Sequence, residues 1–126
     1  MRKIYTPLAP DPAGNYSQAI VANGFAFVSG QLPVDSITEE KKTASIEEQT
    51  QQALQNVLNI VETAGGSLTS IVKVTIYVSN INLWLRVNRA YLDFFGDHRP
   101  ARSMVPIGDL HLDYDVEIEA VATIAE

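Results

Sequence analysis

Hydrophobic and polar positions alternate most cleanly over residues 71–79, where Val72, Val74, Ile76 and Val78 fall on one side and Lys73, Thr75, Tyr77 and Ser79 on the other. That period of two predicts a β-strand with one dry face. A second alternating run, residues 115–125, sets Asp115, Glu117 and Glu119 against Val116, Ile118, Ala120 and Ala122. Between residues 45 and 66 the period changes. Leu54, Val57, Leu58 and Val61 recur at i, i+3, i+4 and i+7, with Ala53 and Ala64 widening the stripe, which predicts an amphipathic helix. Ser45 with Glu48 three residues on reads as a capping box that starts the helix at Ile46, and Gly65-Gly66 supplies its left-handed stop.

The remaining elements follow from turn chemistry. Residues 17–21 and 25–29 are strand-like and flank Asn23-Gly24, a strong short hairpin signal. Gly30-Gln31-Leu32-Pro33 is expected to end the second of these strands, and residues 34–44 read as a polar loop. A short strand is predicted at residues 3–5, before the turn Asp11-Pro12-Ala13-Gly14, and another at 102–107 after Pro100. A second helix is predicted over 83–95, capped by Asn80 or Asn82 and closed by Gly96. Its buried stripe is expected to hold Trp84, Val87, Tyr91, Phe94 and Phe95, which suits core packing better than stacking on a cofactor.

The order is strand, strand, strand, helix, strand, helix, strand, strand. It predicts a single α+β domain over residues 1–126, with a mixed sheet of about six strands and two helices on one face. Two helices cover only one side of such a sheet. Beyond Glu119 the acidic side of the last strand turns to Val121, Thr123 and Ala125, too apolar for a face in water. The open face is therefore expected to be a subunit interface, and a ring-shaped homo-oligomer would satisfy it.

Charge narrows the partners. Nine Lys and Arg against 15 Asp and Glu give a net charge of −6, which argues against a nucleic-acid backbone as the partner. The chain has no cysteine, so a disulfide framework, a thiolate nucleophile and a Cys-ligated zinc are excluded. His98 and His111 are the only histidines and have no metal-ligand spacing, so no metal site is expected. No Gly-x-Ser-x-Gly elbow is present, and Gly65-Gly66 precedes a strand and not the helix N-terminus a phosphate loop requires. With no apolar h-region after Arg2 and Lys3 and no stretch long enough to cross a bilayer, a cytoplasmic protein without a membrane partner is expected.

Arg102 is the last cation: the 24 residues after it hold six acids and no Lys or Arg. It follows Pro100-Ala101 on a rigid element, a placement that suits bidentate grip of a carboxylate. The plainer reading is a surface cation paired with one of those acids. Glu117 lies 15 residues on, and an antiparallel pairing of their strands would bring it near Arg102. There it would either neutralise the guanidinium or, kept ionised beside it, orient and deprotonate a water. Tyr16, Ser29 and Asn88 stand at element edges or beside buried stripes, where each is either a ligand contact or an ordinary structural hydrogen-bonder.

Six blocks in order, Gly14-Asn15-Tyr16-Ser17-Gln18-Ala19, Val28-Ser29-Gly30-Gln31-Leu32-Pro33, Ala64-Gly65-Gly66, Val87-Asn88 with Tyr91 and Phe94-Phe95, Arg99-Pro100-Ala101-Arg102-Ser103, and Val116-Glu117-Ile118-Glu119-Ala120, resemble the Rid (YjgF-type) family of reactive-intermediate deaminases over nearly the whole chain. The resemblance implies a chorismate-mutase-like α+β fold, assembled as a homotrimer whose sheets form a central barrel with three clefts between subunits. It implies hydrolysis of enamines and imines such as 2-aminoacrylate to 2-oxo acids and ammonia, with no cofactor. Carried over, Arg102 falls at the substrate's carboxylate, Glu117 at the attacking water, Met104 where main-chain groups meet the substrate with Ser103 beside it as a substrate contact, and Tyr16, Ser29 and Asn88 at other cleft positions. Asn15 stands where many relatives have Pro, Met104 where they have Cys or Thr, and Leu110-His111-Leu112 replaces a Leu-Pro pair. His111 would then either line the cleft or sit in a surface loop. The alternative function is a non-catalytic module of the same fold that binds a small carboxylate to regulate a partner.

Overall fold

The computed structural model describes residues 1–36 and 44–125. Most of the expected polar loop at 34–44 lies outside the described residues. Six strands form one sheet: β1 (Arg2–Ile4), β2 (Ala19–Ala22), β3 (Phe25–Gln31), β4 (Ile71–Val78), β5 (Ala101–Pro106) and β6 (Val116–Thr123). Two helices, α1 (Ile46–Thr63) and α2 (Trp84–Phe95), interrupt them in the predicted order. Across the sheet the strands run β1-β2-β3-β6-β4-β5. Every pairing is antiparallel except β4 with β5, so the sheet is mixed.

Local chemistry explains the boundaries. Ala22 pairs with Phe25 across the Asn23-Gly24 turn, and both turn residues have positive φ (52° and 78°), the conformation that lets a two-residue loop follow the strand twist. The Ser45 hydroxyl accepts from the Glu48 N–H and the Glu48 carboxylate accepts from the Ser45 N–H, so the capping box forms as predicted. At the other end of α1, the Gly66 N–H donates to Val61 O and the Gly65 N–H to Glu62 O, with Gly65 at φ 102°, a Schellman closure. The side-chain oxygen of Asn80 accepts from the Asn82 N–H ahead of α2, and Gly96 at φ 62° ends it. A bidentate pair, Arg86 Nε and Nη2 to Glu47 at 2.8 and 2.7 Å, ties α2 to α1 and lowers the Glu47 carboxyl to about 2.

Both helices lie on one face of the sheet. The core between the layers takes Val57, Ile60 and Val61 from α1, Val87, Tyr91 and Phe95 from α2, and Val74, Ile76, Val116, Ile118, Ala120 and Ala122 from the strands. Glu117 and Glu119 lie on the opposite, open side, as the alternation requires.

Several packing expectations fail for identifiable reasons. Val72 is exposed and Ile71 fully buried, because a bulge between Ile71 and Lys73 resets the alternation at the start of β4. In α1 the buried stripe passes through Ile60, leaving Leu58 half-buried, and takes in Asn56, whose amide donates to Leu32 O and Val34 O. In α2, Trp84 is 42% exposed and Phe94 is only half-buried. Trp84 shares an apolar outer edge with Ile81, Leu85 and Leu92, all exposed. On the open face Phe25 and Phe27 are also exposed, with ring centroids 6.3 Å apart. β3 runs on to Gln31, past the expected stop, through an irregularity between Val28 and Gln31.

Candidate functional site

The residues singled out by sequence divide between the two sides of the sheet. β5 is an edge strand, and Val74 on β4 is the partner of Arg102 while Ile76 is the partner of Met104. Both β4 partners are buried under the helices, so Arg102 and Met104 point to the helix side. There the guanidinium lies 4.7 Å over the Tyr91 ring and donates through Nη1 to Asn88 Oδ1 at 2.6 Å. α2 thus fixes the cation from two directions. Burial pushes the Tyr91 phenol up more than Arg102 pulls it down. Among the described residues no carboxylate forms an ion pair with Arg102, so pairing with a local acid does not account for it. Met104 packs against the core from its partly buried position. Ser103 projects to the open side, where its hydroxyl accepts from Lys73 Nζ at 3.3 Å.

The expected antiparallel pairing of the Arg102 and Glu117 strands does not form. β4 is inserted between β5 and β6. Glu117 is the partner of Tyr77, three residues along β4 from the partner of Arg102, so the two side chains leave opposite faces. Strand order is a tertiary property that the spacing of two strands does not encode.

Glu117 instead opens into a cleft of about 490 Å³. The segment before β2 forms one wall with Pro10, Pro12 and Tyr16, and His111 and Leu112 form another. His111 therefore lines the cleft. The entry segment is shaped by Gln18, fully buried, whose amide donates to the carbonyls of Thr6, Ala9 and Pro10 while its oxygen accepts from the Thr6 N–H. The Tyr16 hydroxyl accepts from the Ala13 N–H at 3.4 Å, and its ring is exposed toward the cleft. Ser29 anchors the same wall: its hydroxyl donates to Ser17 O at 2.7 Å and its N–H to Gln18 O at 2.9 Å.

Gly30 is the residue that admits the acid. A Cβ there would overlap Glu117 Oε1 and sit 3.0 Å from its Cδ. The irregularity in β3 between Val28 and Gln31 thus brings bare backbone against the carboxylate, a recurrent use of bulges beside functional groups. We expect Gly30→Ala to fold, because the clash falls on the end of a side chain that can rotate away, and to lose about tenfold or more in kcat/KM, since a misplacement of about 1 Å can be that costly. Thermal melting and a rate measurement on the same sample check both halves.

Burial raises the Glu117 pKa above the ordinary carboxyl value, Glu119 adds to the rise, and His111 opposes it. A carboxyl tuned upward is a better proton acceptor near neutral pH. In the sequence Tyr91 reads as plain core and Gly30 as part of a strand end, with no sign of a close approach. Both become visible only when residues far apart in the chain are brought together. Among the described residues no cluster of His, Cys, Asp or Glu is arranged to hold a metal ion, and no helix is long and apolar enough to cross a membrane. His98 is used structurally, with Nε2 2.7 Å from Ile71 O.

Comparison with known proteins bears on the fold and the family. A RutC family protein of Pyrococcus horikoshii is 44% identical over 119 residues, which span 94% of each chain. A 2-iminobutanoate/2-iminopropanoate deaminase of Dermatophagoides farinae is 38% identical over 123 residues, 98% of this chain and 96% of that one. Among solved structures, E. coli TdcF with bound serine superposes with a TM-score of 0.94 at 35% identity, covering 99% of this chain and 100% of that one. The family model described as Endoribonuclease L-PSP matches residues 6–124, and with this sheet, these helices and these relatives the chain belongs to that family, the Rid (YjgF-type) family its sequence resembles.

Proposed function

We propose that this protein hydrolyses imines of small 2-amino acids to 2-oxo acids and ammonia, in clefts shared between copies of the chain. The observation that carries the reading is the division of the site: a fixed guanidinium without a counter-ion among the described residues on one side of the sheet, and an upward-tuned carboxyl in an open cleft on the other. Each is half of what the reaction needs. A neighbouring copy would supply the missing half, and a homotrimer closes such head-to-tail contacts into a ring. The exposed Phe25 and Phe27 on the open face, and Trp84, Leu85 and Leu92 beside Asn88, are the apolar surface such an assembly would cover. The name of the Dermatophagoides relative and the serine bound to TdcF support an amino-acid-sized carboxylate as ligand.

In the assembled cleft the substrate carboxylate binds Arg102, whose orientation Asn88 and Tyr91 have already fixed. This places the electrophilic carbon of C=N before a water held by Glu117. The water oxygen bonds to that carbon as Glu117 takes one of its protons, the C=N π pair goes to nitrogen, and Glu117 passes that proton on to nitrogen. The resulting carbinolamine collapses: its hydroxyl proton is transferred by Glu117 to nitrogen, the O–H pair forms C=O as the C–N bond breaks, and ammonia leaves with the 2-oxo acid behind and Glu117 ionised again. Water is the only co-reactant, and imines already hydrolyse in water, so orientation and one base suffice. The net charge of −6 gives no support to nucleic acid as substrate.

The direct test generates 2-aminoacrylate or a homologue with a dehydratase and follows loss of the imine signal. Acceleration over buffer is expected; none with any imino acid tried overturns the proposal, and tight calorimetric binding of 2-oxo acids without turnover would favour the regulatory module. Subunit mixing tests the shared cleft. Refolding equal amounts of Arg102→Ala and Glu117→Gln chains together should recover activity at about a quarter of the clefts, the random expectation for a ring in which each site draws on two neighbours. A mixture as inactive as its components would place both groups in one subunit's site and sink the shared cleft.

A further inference from the structure

Glu117 has a second acid for a neighbour. Glu119, two residues along β6, leaves the same face of the sheet, and both line a depression of about 380 Å³ with Gly30, Tyr77 and Ile107. Tyr77 is the cross-strand partner of Glu117, whereas Thr75 is the partner of Glu119. The Tyr77 hydroxyl nevertheless passes its own partner and donates diagonally to Glu119 Oε1. That donor fixes where the Glu119 carboxylate sits. Glu117, by contrast, accepts no side-chain hydrogen bond among the described residues, and lies against the bare backbone of Gly30. Two acids on one strand face are thereby made unequal.

We propose that Glu119, held by Tyr77, is a positioning residue that sets the working charge state of Glu117 from a fixed place on the same strand face. The proposal rests on Glu117 acting as the base. A negative charge held on the same strand face disfavours the ionised form of Glu117, and a carboxyl raised in this way is a stronger base once ionised. The groups facing Glu117 are Tyr77 from β4, Glu119 on its own strand, His111 from the loop before β6, and Asp11 and Tyr16 across the cleft. Of these, Glu119 raises and His111 lowers the pKa of Glu117, burial being the largest influence. The sheet side and the cleft side therefore pull in opposite directions.

The sign follows directly. A base with a raised pKa is ionised only at higher pH, so the acid limb of kcat/KM lies above the ordinary glutamate range. Glu119→Gln keeps an oxygen for the Tyr77 hydroxyl and removes the charge, and is expected to move that limb to lower pH with KM changed by less than about twofold. Tyr77→Phe, which frees the Glu119 side chain to swing away from Glu117, moves it the same way by a smaller amount, and His111→Gln moves it upward. A limb unmoved in both Glu119→Gln and Tyr77→Phe, with Glu117→Gln inactive, overturns this proposal and leaves the proposed function intact. Full activity in Glu117→Gln overturns the assignment of the base, and this proposal with it. A merely structural role for Glu119 would lower the plateau in every variant and shift no limb.

Discussion

Arg102→Ala is expected to lower kcat/KM by about a thousandfold while the protein stays folded. Two charge-assisted hydrogen bonds to a substrate carboxylate contribute roughly 1.5–3 kcal/mol each. Their joint loss, about 4 kcal/mol, corresponds to about three powers of ten in rate. Among the described residues the guanidinium donates to Asn88 and rests on the Tyr91 ring. Removing it should cost only about 1 kcal/mol of stability, the range of a cation–π contact near the surface. Arg102→Lys keeps the charge but not the two-pronged geometry, and should recover only a small part of the rate. Steady-state kinetics beside thermal melting checks the pair, and an alanine variant with unchanged kcat/KM would show that the cation serves some other purpose.

Glu117→Gln is expected to cost about 10²–10⁴-fold in kcat, the span for removing a positioned general base. Its stability should change in the opposite direction. The folded-state pKa of Glu117 is raised, chiefly by burial and then by Glu119, so the folded protein holds that proton more tightly than the unfolded chain does. Stability from this group is present at low pH and lost as pH rises through the folded pKa. Once ionised, Glu117 is therefore a burden, and at a pH above its folded pKa the neutral amide should melt at a higher temperature than the acid, an advantage that fades as the pH is lowered. An inactive but stabilised variant is the signature of a strained functional carboxyl. Equal melting temperatures across the pH range would contradict the direction assigned to its pKa.

Much of the scaffold can be read from local pattern because local chemistry sets it. The Asn23-Gly24 turn, the Ser45–Glu48 box and the Gly65-Gly66 stop each lie within a few residues of what they control. The alternation of Val116 to Ala122 survives intact because β6 is central, paired on both edges by β3 and β4. Pattern fails where the controlling partner is distant. Val72 looks buried until the bulge against β6 shifts the phase of β4. Trp84 looks like core because apolar character says only that a side chain avoids water, not which surface covers it. Site residues follow the same division. Arg102, Asn88 and Glu117 attract attention as residue types in telling places, but their grouping depends on strand order. Gly30 and Glu117 are 87 positions apart, and only the β3–β6 ladder makes the absence of a side chain at one a condition for the other.

The placement of β4 between β5 and β6 has a consequence for a newly made chain. Were the guanidinium and the reactive acid on adjoining strands and the same side, each would be the other's nearest counter-ion, and the polypeptide would quench itself by an internal salt link. A single intervening strand works as an insulator: it keeps the two charges apart within one chain and, if the cleft is shared between copies as we propose, leaves a solitary molecule chemically idle until it meets its like.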